Sequence, residues 1–284
     1  MFEALIDEVA LSASFFLFFR QLTAILPAVS CYSFSISSAV QVIGFMHYGT
    51  LVIPVCNSGV ELGPSLCSAL SALQKLRLQG WKLVVVRSSG WDSAGGDSMD
   101  ALGADALIEA LPGVANMMNA GARLAEGEVI VFLPVDVRLP DTFVADMAIF
   151  VATETAWGRF DLQFLPATRA LYFVSRWINE LSRLQSVAER DQVLFFRQEF
   201  FLRLGGFPLI PLLEDWVLTR KARAQSLPFC PKARVTVPAE RWTIPGIGRK
   251  WLSGVLLRLG YRCRVAPGTL NLWRRKLERD ARID

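Results

Sequence analysis

At 284 residues and 52% apolar composition, the chain can bury one large α/β core or two small ones, and a single histidine, His47, argues against histidine-based catalysis. The five cysteines (Cys31, Cys56, Cys67, Cys230, Cys263) form no CxxC pair, which argues against a zinc site and fits a reducing cytoplasm. With histidine and cysteine set aside, a general base has to be Asp, Glu or Lys, and any metal a hard ion held by oxygens; the net charge is +4.

From Gln21 to Met46 no charged residue occurs, a length able to span a bilayer, although Pro27 and several serines weaken it as a membrane helix. Ahead of it Glu3, Asp7 and Glu8 make the start acidic, unlike a secretory signal. Residues 1–48 therefore read as a hydrophobic extension with three origins open: an anchor, a packed or disordered extension, or sequence upstream of a start at Met46.

Thr50 to Val55 predicts a buried strand that runs into Cys56-Asn57. Glu61 to Leu78 has helical spacing, with Leu66, Leu70, Leu73 and Leu76 in one stripe. Trp81 to Val86 predicts a second buried strand, followed by the polar loop Arg87 to Ser93. A third strand is expected over Asp105–Ile108, a helix over Gly113–Ala125, a strand over Glu128–Leu133 and a helix over Asp141–Val151. Short apolar strands alternating with helices indicate a mainly parallel sheet covered on both faces. Further on, Trp157–Phe164 alternates like one strand, and Ala170–Leu184 reads as an aromatic-rich helix. Strands at Gln192–Phe196 and Arg234–Val237 enclose short helices at Gln198–Leu204 and Trp216–Ala224. The simplest organisation is one α/β domain over 49–250 with basic helices at 251–284.

In open α/β sheets ligands lie beyond the carboxyl ends of the strands. Three polar loops satisfy that rule, after Val55, after Val86 and after Leu133, and the last carries Asp136 at the edge of the expected crevice. Gly205-Gly206-Phe207-Pro208 predicts a tight turn before Glu214-Asp215. Two carboxylates there suit the first turn of a helix, and equally suit a general base at the mouth of a sheet. From Arg249 to Asp284 ten Lys/Arg face Glu278, Asp280 and Asp284, with Trp251, Tyr261 and Trp273 interleaved. That tail fits peripheral contact with a membrane surface, an anionic-substrate face, or a solvated pair of helices. No nucleic-acid-binding module is recognisable, so no nucleic-acid partner is expected.

Taken in order, several segments of Leu51–Trp273 resemble the family 2 glycosyltransferases of GT-A fold, and within them the short bacterial radical-SAM/selenodomain-associated, arsenosugar-type subgroup. They are Ile53-Pro54-Val55-Cys56-Asn57, Met118-Asn119-Ala120-Gly121-Ala122, Phe132 to Pro140, Trp157 to Asp161, Asp191-Gln192, Gly205 to Pro208, Glu214-Asp215 and Arg241-Trp242. The resemblance implies an inverting transferase that moves a sugar from a nucleotide-diphosphate donor to a small-molecule or lipid-linked acceptor. It implies a divalent ion, Mn²⁺ or Mg²⁺, on Asp136, the last carboxylate of the DxD-type motif, and Asp215 as general base with Glu214 beside it. Pro54, Asn57, Arg87, Asp92, Asn119, Arg241 and Trp242 fall on the donor side by the same resemblance, Trp242 being equally suited to the core. Trp157, Arg159, Asp161, Asp191 and Gln192 fall towards the acceptor, with structural roles equally open. A cytoplasmic enzyme, in contact with the membrane or not, would follow.

The chain departs from the family's pattern on the donor side. Arg87 stands where the family has a nucleoside-binding Asp, and Pro134 where the DxD-type motif begins with Asp or, in the subgroup, His. Ser58 replaces a common Glu, Val114 and Asn116 replace basic residues, and Arg190 replaces the Gly before Asp191-Gln192. These changes keep open a second expectation, a degenerate GT-A domain that binds a ligand or partner without catalysis. A nucleotidyltransferase is disfavoured, because no Gly-rich loop with Arg and Lys lies near the start.

Overall fold

Continuous apolar runs become parallel strands because both faces of such a sheet are covered. In the computed structural model, which describes residues 49–55, 80–89, 104–243 and 246–280, three of them do so, and a fourth parallel strand, less buried and carrying Glu109, joins them at the sheet edge. In chain order the four are β1 (Gly49–Val55), β2 (Lys82–Ser88), β3 (Ala106–Ala110) and β4 (Val129–Phe132). The expected helix over 61–78 and the extension at 1–48 lie outside the described residues.

The expected strand over Trp157–Phe164 is instead two strands, β5 (Trp157–Arg159) and β6 (Asp161–Leu165), in different sheets. β5 pairs antiparallel with β7 (Leu194–Arg197), and that ladder ends at Arg159↔Leu194 because a 3₁₀ turn (Arg190–Gln192) precedes β7. Phe160 N–H goes to Gln192 O at 2.8 Å, after which β6 turns away to pair with β8 (Arg234–Pro238). The main sheet has the order β3-β2-β1-β4-β7-β5, with β7 antiparallel to both neighbours.

Helices cover both faces. α1 (Val114–Arg123), α2 (Phe143–Val151), α3 (Arg169–Gln185), α4 (Gln198–Leu204) and α5 (Glu214–Arg223) match the periodic segments to within a few residues. α6 (Glu240–Thr243), α7 (Ile247–Arg262) and α8 (Pro267–Asp280) follow, with α7 running through position 250. One core layer gathers Leu51, Ile53, Val131, Phe143, Phe150 and Phe195, and the other Val52, Val84, Met118, Phe132, Phe196 and Phe207. Each such side chain contributes roughly 1.5–3 kcal/mol on full burial. α1 lies so close to β1 that a Cβ on Gly121 would fall 2.3 Å from Val52 Cγ1.

The sheet also creates its own opening. β1 feeds β2 and β3 on one side and meets β4 on the other, so the strand order reverses between β1 and β4. Their ladder stops at Val52↔Phe132, with Leu133 N–H on Val52 O at 3.0 Å. Ile53, Pro54 and Val55 run on beyond it, paired only towards β2, where proline's missing N–H costs no β4 bond. That is the crevice in which ligands of open α/β sheets sit. The Pro134–Asp136 loop leaves β4 at the same end.

Candidate active site

α5 begins at a strained residue. Leu213, its N-cap, has φ +64°, a left-handed conformation costly for a side chain with Cβ. Glu214 and Asp215 then occupy the first helical turn, where carboxylates complement the helix dipole. Asp215 Oδ1 accepts the Trp216 N–H and Oδ2 accepts the Arg190 N–H, both at 2.7 Å. One turn on, the Thr219 hydroxyl accepts from Ala188 N–H at 3.2 Å and donates to Asp215 O at 2.8 Å. Asp215 and Thr219 thus hold the 188–190 segment against the helix, leaving Asp215 partly exposed and Glu214 buried.

Burial, and then the charge of Asp215, push the Glu214 carboxyl up from 4.5 to about 7, with Arg190 and Arg274 pulling the other way. The Arg190 guanidinium lies 3.3 Å from Glu214 Oε1. Glu189 caps the 3₁₀ turn reciprocally with Gln192 and forms an ion pair with Arg258 of α7. Burial also pushes the Glu189 carboxyl up, against the pull of Arg258. Gln192 is fully buried, its Oε1 accepting Ser182 Oγ at 2.7 Å and Glu189 N–H at 3.1 Å. The turn that was expected near an acceptor through Asp191-Gln192 is therefore built onto the Glu214-Asp215 pair.

Beside this cluster lies a cavity of about 140 Å³ walled by Trp177, Trp216, Trp242 and Trp251. Glu189, Lys250 and Arg258 add charged groups to its lining. Lys250 Nζ sits 5.0 Å over the Trp242 ring, and Trp177 meets Trp251 edge to face at 6.1 Å. Trp242 is 7% exposed, its ring packed on Phe164 at 5.4 Å, and its Nε1 has no hydrogen-bond partner among the described residues. Arg190, Glu189, Arg258, Trp177 and Trp251 were not among the expected site residues. Only the interleaved Trp251 and the aromatic richness of α3 hinted at them in sequence.

The remaining expected residues divide. Asn119 is engaged by the fold: its Nδ2 donates to Phe207 O at 2.8 Å and its Oδ1 accepts Phe207 N–H at 2.9 Å. Both halves of the amide thus take part in clamping the Gly205–Pro208 turn. Gly206 is required there, with φ +73° and only 2.6 Å from the place of a Cβ to Asn119 Oδ1. Trp157 and Arg159 have no exposed surface. Trp157 stacks on Phe196 at 5.9 Å and donates Nε1–H to Ser226 O at 2.8 Å. Arg159 donates to Asp161 Oδ1 at 2.7 Å, and Arg183 binds the other oxygen at 2.8 Å. Trp157, Arg159 and Asp161 stiffen the β5–β6 break, with Trp157 and Arg159 having no surface open to solvent.

On the expected donor side, Arg87 is the penultimate residue of β2 and forms an ion pair with Glu109, its register partner on β3. Pro54 lies on the β1 side of the crevice and Asp136, partly buried, on the loop after β4. Asn57 and Asp92 lie outside the described residues, as does the side chain of Arg241, whose backbone is in α6. Among the described residues no three His, Cys, Asp or Glu side chains gather to hold an ion by themselves. Asp136 is a single hard-oxygen donor, the kind of ligand that completes a Mg²⁺-like shell together with substrate phosphates and water.

Strand order, crevice and helical layers together define the GT-A fold of nucleotide-diphospho-sugar transferases. Comparison with solved structures bears this out at low identity. The mannosyltransferase PcManGT from Pyrobaculum calidifontis, solved with GDP-Man and Mn²⁺, matches over 98% of this chain and 84% of its own, at 17% identity and TM-score 0.59. S. aureus TarS (residues 1–349) matches over 72% of this chain at 15% identity and TM-score 0.53, the match spanning 64% of that structure. A mycobacterial protein matches over 81% of this chain and 80% of its own, at 15% identity and TM-score 0.50. No protein-family model and no curated protein sequence matches the chain.

Proposed function

We propose that the protein is an inverting glycosyltransferase that uses a nucleotide-diphosphate-sugar donor, with Asp215 as general base. The carrying observation is the pair at the start of α5: a partly exposed Asp215 oriented by two backbone N–H groups, beside a buried Glu214 shifted to about 7. In the transfer, Asp215 takes the acceptor hydroxyl's proton as that oxygen bonds to the anomeric carbon. The bond from that carbon to the donor diphosphate breaks on the opposite face, and the nucleoside diphosphate leaves with the electron pair. Glu214 stays beside the base, partly protonated near neutrality, so that it limits the negative charge gathered there.

The tryptophan-walled cavity next to Glu189 and Trp216 suits the acceptor, since flat aromatic walls pack on sugar rings and apolar chains alike. The donor belongs in the β1/β4 crevice, where Asp136 would hold Mn²⁺ or Mg²⁺ and Arg241 would meet diphosphate oxygens. Such an ion would neutralise charge on the leaving diphosphate. The GDP-Man and Mn²⁺ bound by the structurally similar mannosyltransferase support a donor and metal of this class.

The Arg87–Glu109 pair and Pro134 favour a second reading, a GT-A domain that binds a ligand without turnover. Thermal shift of the full chain with UDP, GDP and their common sugars, with and without Mn²⁺, separates the two. A donor at a hundred times its Kd raises stability by about 2.7 kcal/mol. Metal-dependent stabilisation with turnover that vanishes in Asp215→Asn supports the transferase. Binding without turnover supports the second reading, and no stabilisation by any nucleotide overturns the donor assignment.

A further inference from the structure

The solvent face of α7 is apolar where a surface helix is ordinarily polar. Leu252, Leu256 and Leu259 recur at i, i+4 and i+7 and are 42%, 43% and 51% exposed. They are not an inward face out of register. Trp251, Val255 and Arg258 line the cavity on one side of the helix, and Leu257 packs with Leu270 and Leu212 on another. α8 extends the stripe. The Trp273 ring lies over Gly260, 3.3 Å from where a Cβ would stand, one residue after Leu259 and one turn after Leu256. Trp273 and its neighbour Leu272 remain 46% and 64% exposed.

Charge selects the occupant. Residues 249–284 hold ten Lys/Arg and three Asp/Glu, a net +7, so that 1–248 carry +4 − 7 = −3 and all the excess positive charge is in this tail. Arg258 is spent on Glu189, but Arg262, Arg264, Arg275 and Lys276 are exposed on the same two helices and the turn between them. A second copy meeting this face through a two-fold axis would set like charges together. A nucleic acid would leave the leucines without a partner. Exposed leucine and tryptophan on helices that also carry exposed arginine and lysine match the boundary between acyl chains and anionic headgroups. Among the described residues no helix is long and apolar enough to cross a membrane, so contact would lie in the interface plane.

We propose that α7 and α8 form a docking surface for an anionic lipid bilayer, with Leu252, Leu256, Leu259 and Trp273 at the acyl boundary and the four exposed cations on lipid phosphates. The same α7 that meets lipid outside walls the tryptophan cavity inside, so docking brings that cavity to the bilayer surface. The proposal is independent of the transfer reaction.

Co-sedimentation of the full chain with phosphatidylglycerol-containing and pure phosphatidylcholine vesicles tests it. The protein is expected on the anionic vesicles only, and less at high salt. Arg275→Gln with Lys276→Gln lowers anionic partitioning about thirtyfold, at about fivefold per cation. Leu256→Ser with Leu259→Ser lowers it by about tenfold or more. All four positions are exposed, so melting temperatures stay at the wild-type value, and residues 1–48 are common to every sample. Equal partitioning of wild type and both variants overturns the proposal, as does absence of binding by wild type. A dimer in light scattering that only the leucine variant dissolves would assign the stripe to a second copy instead.

Discussion

The backbone N–H of Arg190 donates to Asp215 Oδ2 at 2.7 Å, fixing the carboxylate from a turn that lies 25 residues earlier in the chain. With Trp216 N–H on Oδ1, the carboxylate has an anchor on each oxygen and one direction in which to face. Such an orientation would suit the proposed general base, which has to meet an acceptor hydroxyl from one direction. Asp215→Asn places an NH₂ group against one of these donors. Turnover is expected to fall on the order of 10²–10⁴-fold, and stability by about 1–3 kcal/mol. Donor affinity, followed by thermal shift, should be retained. Retained turnover would remove Asp215 from the base role.

Glu214 makes stability depend on pH. Its folded-state value of about 7 lies above the ordinary 4.5, so the native state holds this proton more tightly than the unfolded chain. The contribution is fully present below pH 4.5 and is lost as pH rises through about 7, a change on the order of 3 kcal/mol. Glu189, also raised, slopes in the same direction. Glu214→Gln removes the first of these titrations. Melting curves between pH 4.5 and 8 should show the variant gaining on wild type as pH rises. Parallel curves would mean that Glu214 titrates at its ordinary value.

Much of the sheet was legible in sequence because burial on both faces leaves uninterrupted apolar runs, as in Leu51–Val55 and Val129–Phe132. The break at Phe160 was not, because it depends on where β7 runs out of ladder, and β7 lies beyond a whole helix. Glu214-Asp215 stood out as adjacent carboxylates, yet their setting did not. Arg190, standing where the resembled glycosyltransferases have Gly, proves to supply both the N–H for Asp215 and the guanidinium for Glu214. Asn119 shows the converse. Its motif suggested the donor, while its partner Phe207 is 88 residues away, and such pairings leave no local pattern.

That Asn119–Phe207 clamp predicts coupled losses. Asn119→Ala strands an N–H and a carbonyl of Phe207, at about 1–3 kcal/mol for each group that stays buried. Gly206→Ala forces a Cβ to within 2.6 Å of Asn119 Oδ1 at φ +73° and disturbs the same clamp. Because the two changes break one feature, the double variant should lose less than the sum. Urea denaturation of the four proteins measures this, and simple additivity would mean that the turn and the amide act separately.

The buried ion pair of the β5–β6 break separates a structural role from an acceptor role. Arg159 has no exposed surface, and its charge is met by Asp161, which also binds Arg183. Asp161→Ala leaves a buried guanidinium without its carboxylate, a loss of about 3–5 kcal/mol. Arg159→Met with Asp161→Leu removes both charges together and should recover most of that stability, since a buried pair replaced by apolar groups of similar size is often neutral. Arg183 is more exposed and can turn to water. If the pair only stiffens the fold, the double variant keeps the wild-type KM for acceptor once folded. A raised acceptor KM in a double variant of full stability would return Arg159 and Asp161 to the acceptor site.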